Sequence, residues 1–553
     1  MKTTDRLVIL GLDGATWTVL DPMIQNGVMP NLAALLGRSA YGTLRSTIPP
    51  VTSAAWTTMM TGCGPAQHGV FDHRYYDAAA GQLRVNHSGR VKVPTFWHLL
   101  SDAGRSVISL NVPVTFPPLK VKGVVVSGMD APHLEAALSG SPEFAQRLAR
   151  EVPGYALKFF WKKPPRNIDE MNAAADPTIE LFKARAEGAW SADRHVPDWS
   201  TLMVQFQNLD PFQHRAWRYL NVDETGIDDP AMNAAAQGVM RGLDAAIGRV
   251  CELAEKRGAT VMVVSDHGFG SCKGRVHVNR VLLDAGIARL PSKFGTLAMG
   301  AEKIRGRLAL WNAKRGTPEA RTSSFDQSVS AQFPFDWKRT LAFAPHQDTA
   351  AMIYLNTASR SAGAPLQTFR QIDDARQATI AALADARHPQ TGEPLFAQII
   401  DMASTHNLDP AREGYPDIIA LPDVAYWVRT KLAPGKSWVE ADDALPGTHR
   451  PEGIVAIAGP GVTPGRNLRS DLRDIAPTVL RLFDLPIPAH IEGRPIIEAW
   501  GESNDAPPAA QAHQPMREDQ AHGLAGPHQP EFEYTPEEQA IIEQRLADLG
   551  YLE

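Results

Sequence analysis

The chain has 553 residues, of which 44% are hydrophobic and 21% are charged. This length exceeds what a single hydrophobic core usually supports, and the composition is that of an ordinary folded protein. The 55 basic and 61 acidic residues give a formal net charge of −6, so charge offers no reason to expect a standing nucleic-acid or anionic-membrane partner. We therefore expect one large domain that carries a sizeable insertion or cap.

Cysteine usage and the apolar stretches indicate the compartment. The 3 cysteines, Cys63, Cys251 and Cys272, are far apart, so we expect neither a disulfide framework nor a cysteine metal cluster. The apolar run after Arg6 is too short and wrongly flanked for a signal peptide, and no uninterrupted stretch reaches transmembrane length. The sequence therefore predicts a cytoplasmic protein without a transmembrane segment.

Short apolar runs alternate with helical patterns along the chain. The first run, Leu7–Leu12, ends at Asp13 and predicts a strand buried on both faces. Similar runs occupy residues 106–112, 123–127, 201–206, 260–265 and 453–458. Apolar residues at helical spacing between Met232 and Ala254 predict a helix that stops at Gly258. This alternation predicts an α/β fold with a doubly wound, mostly parallel central sheet flanked by helices, which binds ligands at the carboxyl ends of its strands.

The same alternation indicates how the chain is divided. It weakens across residues 270–444, which we interpret as an inserted α+β cap, so that residues 1–269 and 445–501 form the core. Asp474 opens a helix with a proline near its start, which returns the chain to the core. Residues 502–531, rich in Pro, Ala, Gln and His, predict a flexible linker, and residues 532–553 predict a terminal helix.

Carboxylates and imidazoles accompany these strands: Asp13, Asp210 with His214, Asp266 with His267, and His449. Taken singly, most of them have an ordinary interpretation as a helix cap or a surface histidine. Asp266 and His267 are more specific, because two side chains that are costly to bury follow an apolar strand directly. Together they form a mixed oxygen and nitrogen set that suits Zn²⁺, with Mn²⁺ as the alternative, and two such ions could share it.

Residues 49–62 contain a candidate nucleophile. Prolines before Thr52 and Ser53, and a glycine at position 62, predict a short helix. Thr52 would lie at or just before its N-terminus, where free backbone N–H groups and the positive end of the helix dipole favour an anion. The alternative is that Thr52 or Ser53 simply caps the helix.

The order of these residues resembles the type I phosphodiesterase and nucleotide pyrophosphatase family of the alkaline phosphatase superfamily. The most specific matching segments are residues 11–14, 52–62, 265–268 and 474–478. The resemblance implies that one divalent cation is held by Asp13, Thr52, Asp266 and His267, and a second one by Asp210, His214 and His449. It also implies that Thr52 is the nucleophile and forms a covalent phosphothreonine that water then hydrolyses.

Other residues near this set, and the identity of the substrate, are less constrained. Arg74 is a candidate for binding the non-bridging phosphate oxygens, and His68 and His73 are expected to support the site without binding metal. The expected substrate is a small-molecule phosphate monoester or diester of unknown leaving group.

Alternatives within the superfamily are a phosphonate hydrolase, a sulfatase or a cofactor-independent phosphoglycerate mutase. The sulfatase is disfavoured because Cys63 lacks the Cys-x-Pro-x-Arg context, and the mutase because it normally uses serine. A metal-binding homologue without turnover belongs to a different functional class.

Overall fold

The computed structural model describes residues 3–291, 329–423, 426–432, 438–440, 445–502, 532–549 and 551. The strands are β1 (Leu7–Leu12), β2 (Ala40–Arg45), β3 (Arg74–Asp77), β4 (Gln82–Val85), β5 (Ser106–Leu110), β6 (Gly123–Val126), β7 (Trp199–Phe206), β8 (Thr260–Val264), β9 (Gly268–Ser271), β10 (Gly274–His277), β11 (Ala342–Phe343), β12 (Ala351–Leu355), β13 (Phe396–Asp401), β14 (Ile418–Pro422), β15 (Tyr426–Arg429), β16 (Val439–Glu440), β17 (Gly447–Arg450), β18 (Glu452–Ala458) and β19 (Gly465–Asp471).

The α-helices are α1 (Trp17–Gln25), α2 (Pro30–Leu36), α3 (Thr52–Thr61), α4 (Pro65–His68), α5 (Phe96–Asp102), α6 (Leu134–Ala137), α7 (Pro142–Glu151), α8 (Ile168–His195), α9 (Leu209–Leu220), α10 (Pro230–Arg257), α11 (Val278–Asp284), α12 (Val329–Gln332), α13 (Phe369–Asp385), α14 (Met402–His406), α15 (Pro410–Glu413), α16 (Ile475–Leu482) and α17 (Pro536–Leu549). Short 3₁₀ turns occupy Ser88–Arg90, Leu472–Asp474 and Ile497–Trp500.

An 8-stranded sheet organises the protein, in the order β19-β2-β18-β8-β1-β7-β5-β6. Strands β6, β5, β7, β1 and β8 pair in parallel. Strand β18 runs antiparallel to its neighbours β8 and β2, and β19 is parallel to β2. The prediction of an α/β fold with a mostly parallel central sheet is therefore confirmed.

Both faces of this sheet are covered, as the uninterrupted apolar run of β1 predicts. Val8 and Leu10 belong to one hydrophobic cluster, while Leu7 and Ile9 belong to a cluster on the opposite face. The first cluster includes side chains of α1, α2, α8, α9 and α10, and the second includes side chains of α3, α5 and α16. Full burial of an aliphatic side chain contributes about 1.5–3 kcal/mol. Such packing fixes the strands whose ends carry the candidate site.

The predicted helix between Met232 and Ala254 is confirmed as part of α10, and its ends have local causes. The Asp229 side chain accepts a hydrogen bond from the backbone N–H of Met232, so one free N–H of the first turn is satisfied. Gly258 follows the helix with φ +63°, a conformation that glycine adopts without a steric penalty.

The stretch interpreted as a cap contains its own sheets and hydrophobic cluster. A 4-stranded sheet has the order β11-β12-β14-β13, and a 3-stranded sheet has the order β15-β10-β16. Phe71, Tyr76 and Leu83, which precede this stretch, belong to the same cluster as its own side chains. The boundaries at residues 270 and 444 stay a prediction, and the expected linker lies outside the described residues apart from Glu502.

Helix α17 packs near the carboxyl edge of the central sheet. Its Ile542, Leu546 and Leu549 share a cluster with Met129 and Trp427. In the described part of the chain, the three cysteines are buried and form no disulfide. A search of the described helices finds none that has both the length and the apolar character needed to cross a membrane.

Candidate metal centre and nucleophile

Three buried aspartates lie at the carboxyl ends of three neighbouring strands. Asp13 follows β1, Asp266 follows β8, and Asp210 lies in the first turn of α9, shortly after β7. Because β7, β1 and β8 are adjacent and parallel, their carboxyl ends meet at one edge of the sheet. Each of the three carboxylates has an exposed fraction of 0%.

Three histidines meet these carboxylates. His214 lies one turn after Asp210 on α9, and His267 follows Asp266 directly. His449 lies on β17, which pairs antiparallel with β9 and places His449 opposite Phe269. The structure thus brings together every residue that the sequence singled out as a metal ligand: Asp13, Thr52, Asp210, His214, Asp266, His267 and His449, hereafter the candidate dinuclear centre.

One set of donor atoms surrounds the Nε2 atom of His267. This nitrogen lies 3.3 Å from Thr52 Oγ1 and 3.3 Å from Asp266 Oδ2. It lies 3.7 Å from Asp13 Oδ1. One donor atom from each of Asp13, Asp266 and His267 lies within 4.8 Å of the others.

The second set is a compact triangle. His214 Nε2 lies 3.0 Å from His449 Nε2 and 3.5 Å from Asp210 Oδ1, and His449 Nε2 lies 3.0 Å from the same oxygen. Tetrahedral coordination with bonds near 2.0 Å separates neighbouring ligand atoms by about 3.3 Å. The triangle therefore has the dimensions of one face of a metal coordination shell.

Hydrogen bonds on the outer side of each imidazole fix which nitrogen carries the proton. The Nδ1–H groups of His214, His267 and His449 donate to the backbone carbonyls of Gly447, Gly268 and Pro50, at 2.9, 3.1 and 2.9 Å. Burial lowers the pKa of His214 and of His449 to about 3, so both rings are neutral. Their Nε2 lone pairs consequently face each other without a proton between them, an arrangement that a bound cation stabilises.

In Asp13 and Asp266, as in the histidines, one atom of the side chain is hydrogen-bonded on the outer side and the other faces the centre. Asp13 Oδ2 accepts hydrogen bonds from Trp56 Nε1 at 3.0 Å and Gln205 Nε2 at 2.6 Å. Asp266 Oδ1 accepts the backbone N–H of Gly14 at 3.1 Å. Among the described residues, Asp13 Oδ1 and Asp266 Oδ2 have no hydrogen-bond partner. These orphaned, buried oxygens and the imidazole lone pairs fit divalent cations.

Electrostatics favour cations at the same place. Burial, followed by the charges of Asp266 and Asp210, raises the pKa of Asp13 well above its ordinary value. Burial likewise raises the pKa of Asp266, and repulsion from Asp210 adds to it. Positive charge held between these groups offsets both effects.

Thr52 is the first residue of α3, and its side chain faces the His267 ring. The residue at the N-cap position is Val51, so the interpretation of Thr52 as a helix cap is wrong. Thr52 is fully buried, and its hydroxyl lies at the end of the helix that carries free backbone N–H groups. Its neighbour Ser53 instead directs its hydroxyl to His73 Nδ1, at 2.7 Å.

Two weaker candidates, Arg74 and His68, lie on β3 and α4. Half-buried Arg74 is on β3, where burial lowers its pKa and the charges of Asp72 and Glu543 oppose that effect. His68 shares a hydrogen bond of 3.0 Å with Thr58 Oγ1 and accepts the backbone N–H of Val70 at 3.1 Å. Both ring nitrogens of His68 are therefore engaged in holding α3 and α4.

Sequence reasoning missed several polar side chains near the centre. The Tyr551 hydroxyl donates to Asp210 Oδ2 at 2.7 Å. Asp72 and Asp348 form a further group of possible metal ligands with His73. Burial, followed by repulsion from Asp72, raises the pKa of Asp348 well above its ordinary value. No local pattern marks Tyr551 or Asp348, because only the folded chain brings them to the strand ends.

Known proteins provide an independent comparison. The profile of the family described as Type I phosphodiesterase / nucleotide pyrophosphatase matches residues 7–449. A search of curated proteins finds no match.

Similar solved structures include phosphonoacetate hydrolase from Sinorhizobium meliloti 1021, with 17% identity, a TM-score of 0.47, and coverage of 86% of this chain and 94% of that one. Murine ectonucleotide pyrophosphatase / phosphodiesterase 5 has 14% identity and a TM-score of 0.46, with coverage of 88% and 96%. The family match spans most of the chain and includes all the residues of the candidate dinuclear centre. The protein therefore belongs to the type I phosphodiesterase / nucleotide pyrophosphatase family, a family of metal-dependent phosphoric ester hydrolases.

Proposed function

We propose that the protein hydrolyses a small-molecule phosphate ester, a diester or a monoester, through two divalent cations and a covalent phosphothreonine on Thr52. The observation that carries this proposal is the pair of donor sets whose buried oxygen and nitrogen atoms face inward. One set comprises Asp13, Thr52, Asp266 and His267, and the other comprises Asp210, His214 and His449.

The chemistry assigned to Thr52 follows from its position. Its hydroxyl oxygen attacks phosphorus, the bond from phosphorus to the leaving oxygen breaks, and the alcohol departs with a proton. Water then attacks the phosphothreonine, which releases the phosphate product and restores the hydroxyl. When bound, the two cations supply Lewis acidity that stabilises the charge on the attacking and leaving oxygens.

Side chains and backbone carbonyls on the outer side of the two donor sets hold the donor atoms in position. Trp56 and Gln205 fix Asp13, and the backbone carbonyls of Pro50, Gly268 and Gly447 orient the imidazoles. Free N–H groups at the start of α3 favour the anionic phosphate beside Thr52. Zn²⁺ is the proposed metal, because three imidazoles with carboxylates suit it, and Mn²⁺ is the alternative. The cytoplasmic location stays a prediction.

Metal analysis and a substrate panel test the proposal. Purified protein is expected to bind about two cations at these donor sets and to cleave bis(p-nitrophenyl) phosphate, p-nitrophenyl phosphate or a p-nitrophenyl phosphonate. Thr52→Ala is expected to lose turnover by a factor of about 10³ or more, since no other hydroxyl replaces the nucleophile. Mass spectrometry of acid-quenched enzyme is expected to find phosphate on the peptide that contains Thr52.

Thr61→Ala provides a matched control. Thr61 lies at the other end of α3 and donates its hydroxyl to the carbonyl of Thr57, so its removal should leave turnover nearly unchanged. Turnover that is indifferent to Thr52, or protein that binds no cation at these donor sets, would overturn the proposal. Relative rates on the panel decide between diester, monoester and phosphonate.

A further inference from the structure

A second group of buried ligand-type side chains lies outside the candidate dinuclear centre. Asp72, His73 and Asp348 each contribute one donor atom, and these atoms all lie within 4.8 Å of one another. Their exposed fractions are 4%, 5% and 0%. Asp348 precedes β12, whereas Asp72 and His73 precede β3, so distant segments of the chain build this group.

Each of the three side chains is held from behind by another group. His73 Nδ1 lies 2.7 Å from the Ser53 hydroxyl. Asp72 Oδ2 accepts the Nδ1–H of His346 at 2.7 Å, and Asp348 Oδ1 accepts the backbone N–H of Thr349 at 2.6 Å. Histidine and carboxylate ligands of protein-bound metals are oriented in this way by partners on their outer side.

The opposite atoms of two of these side chains are unsatisfied. Among the described residues, His73 Nε2 and Asp348 Oδ2 have no hydrogen-bond partner, although both side chains are buried. Buried polar atoms are almost always paired, so each exception calls for an unseen partner such as an ion or a water molecule. Because the group contains two carboxylates and one imidazole, a cation matches it better than a neutral water molecule does.

We propose that Asp72, His73 and Asp348 bind a third divalent cation, beside the candidate dinuclear centre. Two carboxylate ligands and one imidazole suit a first-row transition ion such as Mn²⁺ or Zn²⁺, with water or a substrate oxygen in the open positions.

Its location gives this cation a role in substrate binding. The Tyr551 ring lies 4.5 Å from the His73 ring, and the Tyr551 hydroxyl reaches Asp210, so one side chain spans both sites. Ser53, which orients His73, directly follows Thr52. Asp72 and Asp348 carry negative charge when they bind the cation, near the position where an anionic ester would react. A cation between them removes the repulsion and attracts the substrate.

The test is the position and number of cations in the full-length protein loaded with Mn²⁺ alone. Anomalous diffraction from such crystals is expected to show a peak between Asp72, His73 and Asp348, in addition to those at the candidate dinuclear centre. Elemental analysis is expected to give three cations per chain in the unaltered protein and two in Asp348→Asn. Asp374→Asn, the same substitution at an exposed position of α13, should retain all three.

The diffraction results distinguish a failure of this inference from a failure of the proposed function. Asp266→Asn should empty part of the dinuclear centre while the peak between Asp72, His73 and Asp348 persists. Peaks at the dinuclear centre with no density at the third position overturn the inference and leave the proposed function standing. Density at the third position alone supports the inference and overturns the two-cation mechanism. The diffraction result on unaltered protein decides the question even if Asp348→Asn does not fold.

Discussion

Tyr551 donates a hydrogen bond to Asp210 Oδ2 over 2.7 Å, although 341 positions separate the two residues along the chain. This bond leaves Asp210 Oδ1 facing His214 and His449, where the second cation is proposed to bind. The phenol is buried, with an exposed fraction of 1%, and its ring contacts His73 and Trp427. Tyr551 thus orients a ligand while it closes one side of the centre.

Tyr551→Phe is expected to weaken binding of the second cation about ten-fold, because partners behind a ligand typically contribute 10- to 100-fold to metal affinity. Competition with a fluorescent chelator measures the change. Tyr534→Phe is the matched control, since its hydroxyl donates to the backbone carbonyl of Asp130 and not to a candidate ligand. Equal affinities in Tyr551→Phe and the unaltered protein would show that the hydrogen bond does not orient Asp210.

Gly11→Ala, a substitution in strand β1, is expected to displace the side chains that hold Asp13. A Cβ atom at Gly11 would lie 2.8 Å from the Trp56 ring and 3.2 Å from Gln205 Cγ, and these are the side chains that hold Asp13. We expect a lower melting temperature and a loss of turnover of about ten-fold or more, since both partners of Asp13 must shift. Gly238→Ala, with open space around the new methyl group, should do neither. Calorimetry and initial rates distinguish the two variants.

The buried His68 side chain is expected to make the free energy of unfolding decrease at acidic pH. Burial lowers its pKa from 6.5 to about 3, so the unfolded chain takes up a proton below pH 6.5 that the folded chain refuses. The stability due to neutral His68 is therefore present above pH 6.5 and is lost as the pH falls toward 3, by about 1.4 kcal/mol per pH unit.

The comparison is the free energy of unfolding in urea at pH 7.5 and pH 5, for the unaltered protein and His68→Gln. The decrease is expected to be smaller in His68→Gln by about 2 kcal/mol. Exposed His133→Gln should behave like the unaltered protein. If His68→Gln lost as much stability on acidification as the unaltered protein does, His68 would not be the group that titrates.

Removal of metal is expected to destabilise the fold. Without cations, Asp13, Asp210 and Asp266 are three buried carboxylates at one sheet edge. Binding to the folded state alone adds about 2.7 kcal/mol when free metal is about 100 times Kd. A melting temperature that falls with EDTA and recovers with added Zn²⁺ is the expected result. The same melting temperature in both conditions would mean that the donor sets hold no cation.

The central sheet could be predicted where strands are buried on both faces. The runs before Asp13 and Asp266 are continuously apolar, and the structure contains strands there. Strands β2 and β19 escaped prediction because glycine and polar residues interrupt their apolar residues, and in β19 only Leu468 is buried. A short segment interrupted in this way carries no periodic signal that separates a strand from a loop.

The candidate site could likewise be predicted only in part from the sequence. Asp210 with His214, and Asp266 with His267, were visible because each pair is local in the chain and follows a strand. Asp348 and Tyr551 become partners of the site only through long-range packing, which no local spacing encodes. Tertiary contacts between distant segments therefore account for what sequence reasoning missed.

Strand β18 has a consequence for the order in which the protein can be built. It fills the position between β2 and β8, yet it is synthesised about 190 residues after β8. Until then β2 has no partner on that side, and the hydrogen-bonding edge of β8 is open to pairing with other chains. His449 lies just before β18, so the last residue of the candidate dinuclear centre and the strand that joins β2 to β8 come from the same stretch of chain. A chain that stalls on the ribosome before this point would expose the unpaired edge of β8 and lack His449, and we expect chaperones to bind the nascent chain in that interval.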